Sequence, residues 1–570
     1  MTQVSGGDLV TEVQQVSGGH LVAEVLARGG VEVVFLLHGA HVHPIVVGCL
    51  DRGIGVVAVR HEAAAGHAAE GVARAGRRLG VALVTAGPGM TNVVTSMANA
   101  YLDRSPVLYL SGAAPAFHEE TNSLQSGVDQ VALATPVTKW ARRVHRTQDI
   151  PRLVAQAVRT ALTPPRGPVF LEIPLDVLSA AVEASSAPVP EQVRVESRLV
   201  PAVEDIDEAL GLLAAAERPA IMAGGDVYAA GAWEGLRSFA RAADLPVFAQ
   251  FEALGTLPAD DPLFAGSFWQ LSQLPKEIQP DVVLALGVRF GWHAPGFHVA
   301  LDADVIHVEV DVKEFGRPRP ARLAIHAGPA EVLDALNARL EHTAPTFPDP
   351  STWIGEVRST IAEGIATAFQ PSDDKPGIHP YRIAEIVCET AGPDAIIIGD
   401  GALTKHWLDD AVVTTRRRPG SYFTHGPLGT MGIGLGTSIG ARLANPDRPV
   451  VCVTGDGSLG FTLAELDTMM RHGIPVVVVV MNNRSFFGLD RFARLADGTM
   501  PTIATDLGAV SYADVAVAFG GFGRKVEREE DLAPAVREAL ASGLPACVDV
   551  RVAEHRASSY SMGAFGVMYR

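Results

Sequence analysis

The chain has 570 residues, 48% of them apolar, and a formal net charge of −18. That length exceeds what one hydrophobic core supports and suits about three or four domains, while the acidic balance, without a Lys/Arg stripe interleaved with aromatics, argues against a nucleic-acid partner. Cys49, Cys388, Cys452 and Cys547 are scattered in apolar surroundings and read as reduced thiols; Met1–Gly19 lacks the regions of a signal peptide and no apolar run reaches membrane-spanning length, so the expectation is a soluble, cytoplasmic protein.

From about His20 to Val182, helices are expected to alternate with short apolar strands at Val31–Leu37, Gly55–Val59, Val81–Thr85, Val107–Ser111 and Val169–Ile173. A βα succession of this kind implies a parallel sheet covered on both faces. Within it, Arg60-His61-Glu62 begins at a strand end and runs through Gly71 into a small-residue helix, a place where the helix dipole alone favours a Glu. Gly87-Pro88-Gly89-Met90-Thr91-Asn92 follows the third strand as a Gly-rich helix entry. The polar, Pro-containing stretch Glu183–Pro201 reads as a linker.

The middle segment repeats the style, with strands expected at Ala220–Ala223, Val247–Ala249, Val282–Leu286 and Val305–Val310. A second linker, Glu341–Pro350, a helical stretch and the acidic Gln370–Pro376 lead into a third α/β segment containing the strand Ala395–Ile398. The expected organisation is three doubly wound parallel-sheet domains at 1–190, 202–345 and 375–552, followed by a tail, 553–570, that fits neither helix nor strand period.

The third segment holds the most informative motif. Strand Pro449–Thr454 ends in Gly455-Asp456-Gly457-Ser458, a helical pattern follows at Leu463–Met470, and a second strand, Ile474–Met481, ends in Asn482-Asn483. In an open parallel sheet the two strand ends lie side by side at the ligand crevice. One carboxylate, one carboxamide and a backbone carbonyl suit a hard divalent cation that keeps phosphate oxygens in its shell. Glycines flanking the Asp let the backbone approach a diphosphate. Either half alone is also an ordinary turn; together they point to magnesium and a diphosphate.

This joint pattern resembles the magnesium and thiamine-diphosphate motif of the thiamine-diphosphate-dependent decarboxylases, lyases and carboligases, and the three α/β segments resemble that family's pyrimidine-binding, central and diphosphate-binding domains. The resemblance implies that Asp456, the Asn483 side chain and the Ser485 carbonyl hold Mg2+. It implies that Gly401, Ala402, Leu403, Gly455, Gly457 and Ser458 line the diphosphate, and that Gly429 and Met431 serve the pyrimidine, Met431 as an apolar wedge under the cofactor. Glu62 then corresponds to the glutamate that hydrogen-bonds the aminopyrimidine and drives its amino–imino shift, a task needing a shielded carboxyl group. In the family that glutamate comes from a partner subunit, which implies at least a homodimer, with a homotetramer expected.

Within the family, Leu37-His38-Gly39-Ala40-His41, Arg60–Gly71, Thr121-Asn122-Ser123-Leu124-Gln125 and Asp400-Gly401-Ala402-Leu403-Thr404 look like benzaldehyde lyase. That likeness implies cleavage or formation of 2-hydroxy ketones from aldehydes. His41 would relay the proton of the substrate hydroxyl and Gln125 would hydrogen-bond the carbonyl or alkoxide. The chain departs from the lyase at Leu175, at Lys405-His406 and at Arg484–Arg491, where substrate is chosen. Lys405 and His406 are therefore read either as binding an anionic donor, such as a 2-oxo acid or the polar arm of a CoA thioester, or as solvated surface residues. Alternatives are an acetolactate-synthase-like 2-oxo-acid decarboxylase or carboligase, a 2-hydroxyacyl-CoA lyase, and an inactive cofactor-binding protein. Nothing in 202–345 demands an FAD.

Overall fold

The computed structural model describes residues 14–119, 121–195, 198–290, 302–317, 320–343, 345–368, 377–415, 417–486 and 505–553. They fall into two compact units, one made of the chain up to Ala69 with Leu79–Val195, the other of Glu70–Arg78 with the chain from Glu196 onward.

The first unit contains β1 (Gln15–Ser17), β2 (Val33–Leu36), β3 (Gly55–Ala58), β4 (Gly80–Val84), β5 (Val107–Ala113), β6 (Trp140–Arg143), β7 (Val169–Pro174) and β8 (Ala181–Glu183). Six of them form a parallel sheet in the order β3-β2-β4-β5-β7-β6. β1 pairs antiparallel with β8. β4, β5 and β7 are buried along their whole length, as expected of strands covered by helices on both faces. The stretch expected as a linker from Glu183 starts inside β8, and its Ala187 and Val193 are buried in this unit's core.

The second unit carries two six-stranded sheets. β9 (Pro219–Ala223), β10 (Val247–Ala249), β11 (Phe264–Ser267), β12 (Val282–Leu286), β13 (Asp304–Glu309) and β14 (Leu323–His326) run in the order β11-β10-β9-β12-β13-β14. β15 (Ile396–Asp400), β16 (Tyr422–Thr424), β17 (Val450–Gly455), β18 (Val477–Asn482), β19 (Phe522–Val526) and β20 (Ala546–Arg551) run in the order β16-β15-β17-β18-β20-β19. All neighbours are parallel. The valine run of β18 is wholly buried between β17 and β20, where β-branched side chains fit a pleated surface packed on both faces.

The fold is therefore three α/β sheets with helices, as the βα alternation implies. Every strand expected from an apolar run is present. The edge strands β6 (Trp-Ala-Arg-Arg) and β19 (Phe-Gly-Arg-Lys-Val) carry basic residues in place of an apolar run, and charge on an edge strand discourages further strand pairing. The acidic stretch 370–376, residues 487–491 and the expected tail from 554 lie outside the described residues. No helix among the described residues is long and apolar enough to cross a membrane.

Candidate active site

In the second unit, β15, β17 and β18 are adjacent, with Asp400 opposite Thr454 and Gly455 opposite Met481. The residues that follow these strands therefore meet at one edge of the sheet, the place where open parallel sheets bind ligands. Asp456 opens the helix Asp456–Thr462 and is 2% exposed. Its Oδ2 is buried without a hydrogen-bond partner among the described residues. Burial pushes the Asp456 pKa up to about 6, against the pull of the Gly457, Arg484 and Ser485 backbone N–H groups. Asn483 Oδ1 accepts from the Ser485 N–H at 3.0 Å, which fixes the turn and leaves a second lone pair. A buried carboxylate oxygen with no partner is costly, and a cation beside it removes the cost. The donors suit a magnesium-sized ion, and a single carboxylate leaves such an ion positive charge and open positions that an anionic ligand such as a diphosphate would fill.

The turn after β15 is built for close approach. Gly401 has φ +96°, and a Cβ there would lie 2.7 Å from Ser458 Oγ. It leads into the helix Ala402–Thr414, where Ala402 and Leu403 are half-buried. Gly457 and Ser458 are buried, and the Phe486 ring closes over Gly457, 2.7 Å from where its Cβ would stand. Asp400, fully buried, accepts from the backbone N–H groups of Gly432 and Gly434, each at 3.0 Å. Thr462 Oγ1 donates to the Gly432 carbonyl at 3.3 Å. The segment they hold presents Gly429 (φ +69°) and Met431, which is 37% exposed. Asp400 as a brace is not evident from the sequence, although an Asp flanked by glycines at a strand end is the signal that marks it.

In the first unit, Glu62 opens the helix Glu62–Ala75 and is 4% exposed. Its Oε2 accepts from Asn92 Nδ2 at 3.0 Å. Asn92 lies one turn into the helix Pro88–Leu102, whose entry is the Gly-rich turn after β4. Asn92 is the residue whose part the string Gly87–Asn92 contains but does not announce. His41 sits on a 3-10 turn, Ala40–Val42, and its Nδ1 meets Thr85 Oγ1 at 3.1 Å. Burial holds its pKa below the ordinary value, so the imidazole is neutral near pH 7. Gln125 has φ +60° and is half-buried; it lies against Gly87, where a Cβ would be 3.2 Å from the Gln125 Cβ. It also lines a cavity of about 710 Å³ with Asn122, Gln130, Arg143 and Glu172. The structure thus brings Glu62, His41 and Gln125 into one unit on neighbouring strand ends.

Neither reading of Lys405 holds. Its side chain is 5% exposed, ion-paired with Asp409, and 4.1 Å from the centroid of the Phe251 ring. Tyr422 donates to the other Asp409 oxygen at 2.8 Å. A cation neutralised inside the fold is neither solvated nor free for a substrate carboxylate. His406 is partly buried beside Trp269, and desolvation together with the Lys405 charge pushes its pKa down to about 3.

Parallel sheets whose strand-end turns offer a buried carboxylate oxygen without a partner among the described residues, a carboxamide and close-approach glycines fit a diphosphate-binding enzyme of the α/β class. The chain belongs to the thiamine pyrophosphate enzyme family. It matches that family's N-terminal TPP binding domain over residues 16–133, its central domain over 206–336 and its C-terminal TPP binding domain over 399–550. Similar proteins include a probable acetolactate synthase of Mycobacterium bovis, 33% identical over 92% of this chain and 94% of that protein. A probable acetolactate synthase large subunit of Methanocaldococcus jannaschii is 30% identical over 91% and 89%. The acetolactate synthase isozyme 1 large subunit of Escherichia coli is 30% identical over 92% and 92%. These relatives do not support the likeness to benzaldehyde lyase, which rests on short strings at strand ends and helix entries.

Proposed function

We propose that the chain is a thiamine-pyrophosphate- and magnesium-dependent carboligase of the acetolactate synthase kind, forming a 2-hydroxy ketone with a 2-oxo acid as donor. The observation that carries the cofactor reading is the buried Oδ2 of Asp456, without a partner among the described residues, on a carboxylate met by the backbone N–H groups that follow Asn483. The names of the full-length relatives carry the reaction class. Bound thiamine pyrophosphate supplies the carbon nucleophile and the electron sink.

In this reading Asp456, Asn483 and the Ser485 carbonyl hold Mg2+. Gly401, Ala402, Leu403, Gly455, Gly457 and Ser458 let backbone groups reach the diphosphate. Gly429 and Met431 support the pyrimidine. Glu62, shielded from water and oriented by Asn92, takes and returns a proton at the aminopyrimidine. Neutral His41 exchanges a proton with the substrate oxygen, and Gln125 donates to the same oxygen as charge develops there. The reading includes a homodimer or homotetramer.

A second reading is cleavage and ligation of aldehyde-derived 2-hydroxy ketones. It is favoured by one observation: Lys405 is internally paired with Asp409 and offers no charge to a donor carboxylate. Both reactions make a 2-hydroxy ketone; they differ in whether a carboxylate departs. Purified enzyme with thiamine pyrophosphate and Mg2+ should be given pyruvate, benzoin and a 2-hydroxyacyl-CoA in parallel. Pyruvate consumption with carbon dioxide release and acetolactate formation supports the first reading. Benzoin cleavage without pyruvate turnover replaces it with the second, and turnover of the CoA thioester alone removes both.

A further inference from the structure

The first unit contains a buried polar cluster to which the proposed chemistry assigns no part. Gln130, 3% exposed, is held at both ends of its amide. Its Oε1 accepts from the Gly87 N–H at 3.1 Å and lies 3.3 Å from Ser111 Oγ, whose single proton is nearer the Gly112 carbonyl at 2.9 Å. Its Nε2 donates to the Gly112 carbonyl at 3.1 Å and to Glu172 Oε2 at 2.7 Å. These partners fix which end of the amide is oxygen, since the reversed amide would face the Gly87 N–H with its own N–H2. Glu172, 4% exposed, is itself held by Arg143 Nε at 3.3 Å, and Arg143 also pairs with Glu119 at 2.9 Å. Ser111, Glu172 and Arg143 stand in register across β5, β7 and β6, so the anchor is set by the sheet.

The two backbone segments that Gln130 joins are those on which the proposed substrate-facing side chains rest. Gly87 backs Gln125, with only 3.2 Å between a Cβ at 87 and the Gln125 Cβ. Gly112 backs His41, with 2.3 Å between a Cβ at 112 and the His41 Cβ. A Cβ at 112 would collide with His41, and one at 87 would crowd Gln125 on a backbone of φ +66° that disfavours a side chain, so each glycine lies close against its neighbour. Gly87 also starts the helix that carries Asn92, the partner of Glu62.

We propose that Gln130, anchored by Glu172, is a positioning residue that clamps Gly87 to Gly112 and so fixes the separation of Gln125 and His41. The proposal rests on the reading that those two side chains face the substrate. A misplacement of about 1 Å costs on the order of 100-fold in rate at a preorganised site, so the clamp acts on turnover more than on cofactor affinity.

The test compares Gln130→Met, Gln130→Glu and the exchanged pair Gln130→Glu with Glu172→Gln. The measurements are kcat and KM, thiamine pyrophosphate affinity by fluorescence titration, and deuterium uptake of peptides containing Gly87 and Gly112. Gln130→Met should lower kcat by about 10- to 100-fold while cofactor affinity stays within about threefold and uptake rises at both glycines but not at Gly455–Thr462. The exchanged pair, which restores a donor–acceptor contact between 130 and 172, should recover part of the loss that Gln130→Glu causes. In a His41→Ala/Gln125→Ala background the further loss should be small. An unchanged kcat in folded Gln130→Met, or an equal loss in that background, overturns the proposal. If Gln130→Met does not fold, the volume-conserving Gln130→Glu decides by the same criteria. If His41→Ala and Gln125→Ala each leave turnover intact, the functional reading falls, and uptake at Gly87 and Gly112 still decides whether Gln130 holds them.

Discussion

Asp400 Oδ2 accepts the backbone N–H of Gly434 at 3.0 Å, joining the end of β15 to the first residue of the helix Gly434–Ala444. A Cβ at 434 would stand 2.9 Å from that same oxygen, so the bond requires glycine. The other carboxylate oxygen holds Gly432. A carboxylate suits this place because it is acceptor-only and faces two N–H donors. Asp400→Asn turns one donor against another N–H. It should destabilise the protein by about 1–3 kcal/mol and weaken thiamine pyrophosphate binding, read by thermal melting and by cofactor titration.

Asp456 gives a stability change of the opposite sign. Its folded pKa of about 6 lies above its ordinary 3.8. Between those values the folded chain binds more protons than the unfolded one, so cofactor-free stability falls as pH rises through that window. The full effect is on the order of 3 kcal/mol. Asp456→Asn should therefore melt higher than wild type at pH 8 without cofactor, and lose the stabilisation by Mg2+ with thiamine pyrophosphate. Mg2+ affinity of the wild type should weaken as pH falls below about 6, where a proton competes for the carboxylate. Melting curves and metal titrations at pH 5, 7 and 8 check both.

Glu62→Gln keeps an oxygen that can accept from Asn92, so the fold should be preserved, with a melting temperature close to wild type. Turnover should fall by about 100- to 10,000-fold if the carboxyl moves a proton. Steady-state kinetics beside a cofactor titration checks this: full activity would remove Glu62 from the mechanism.

His41 sets an acid limb. Burial lowers its pKa below 6.5, so it is neutral at pH 7 and protonates only as pH falls through that lowered value. A protonated imidazole cannot accept the substrate proton. kcat should fall on that side, and His41→Asn should both lower kcat and remove the limb from the pH profile.

Lys405→Met leaves Asp409 buried with its charge uncompensated and should cost about 3–5 kcal/mol. Adding Asp409→Asn, which still accepts from Tyr422, should restore most of the melting temperature. If Lys405 is structural, the double variant keeps the KM of the wild type for every turned-over substrate; a KM rise confined to anionic substrates would return it to the pocket.

Local neighbours along the chain determined much of this protein. Valine-rich runs such as Val477–Val480 make strands buried on both faces whatever lies beside them, and Gly-Asp-Gly after a strand makes a close-approach turn. Those features sufficed for three parallel α/β sheets and for Asp456, Asn483 and Glu62 as the residues to examine. What a side chain faces depended on sheet order and register, which adjacent residues do not encode. Lys405 is polar and sits on a helix, so it reads as a surface cation; packing against Phe251 and Asp409 buries it. Asp400 braces Gly432 and Gly434 because β15 lies between β16 and β17, the two strands that their segment connects. Gln130 reaches Gly87, Ser111, Gly112 and Glu172 only once β4, β5 and β7 stand side by side. Hydrogen bonds in a buried place form between groups that folding brings together, and that juxtaposition was the contribution of the tertiary structure alone.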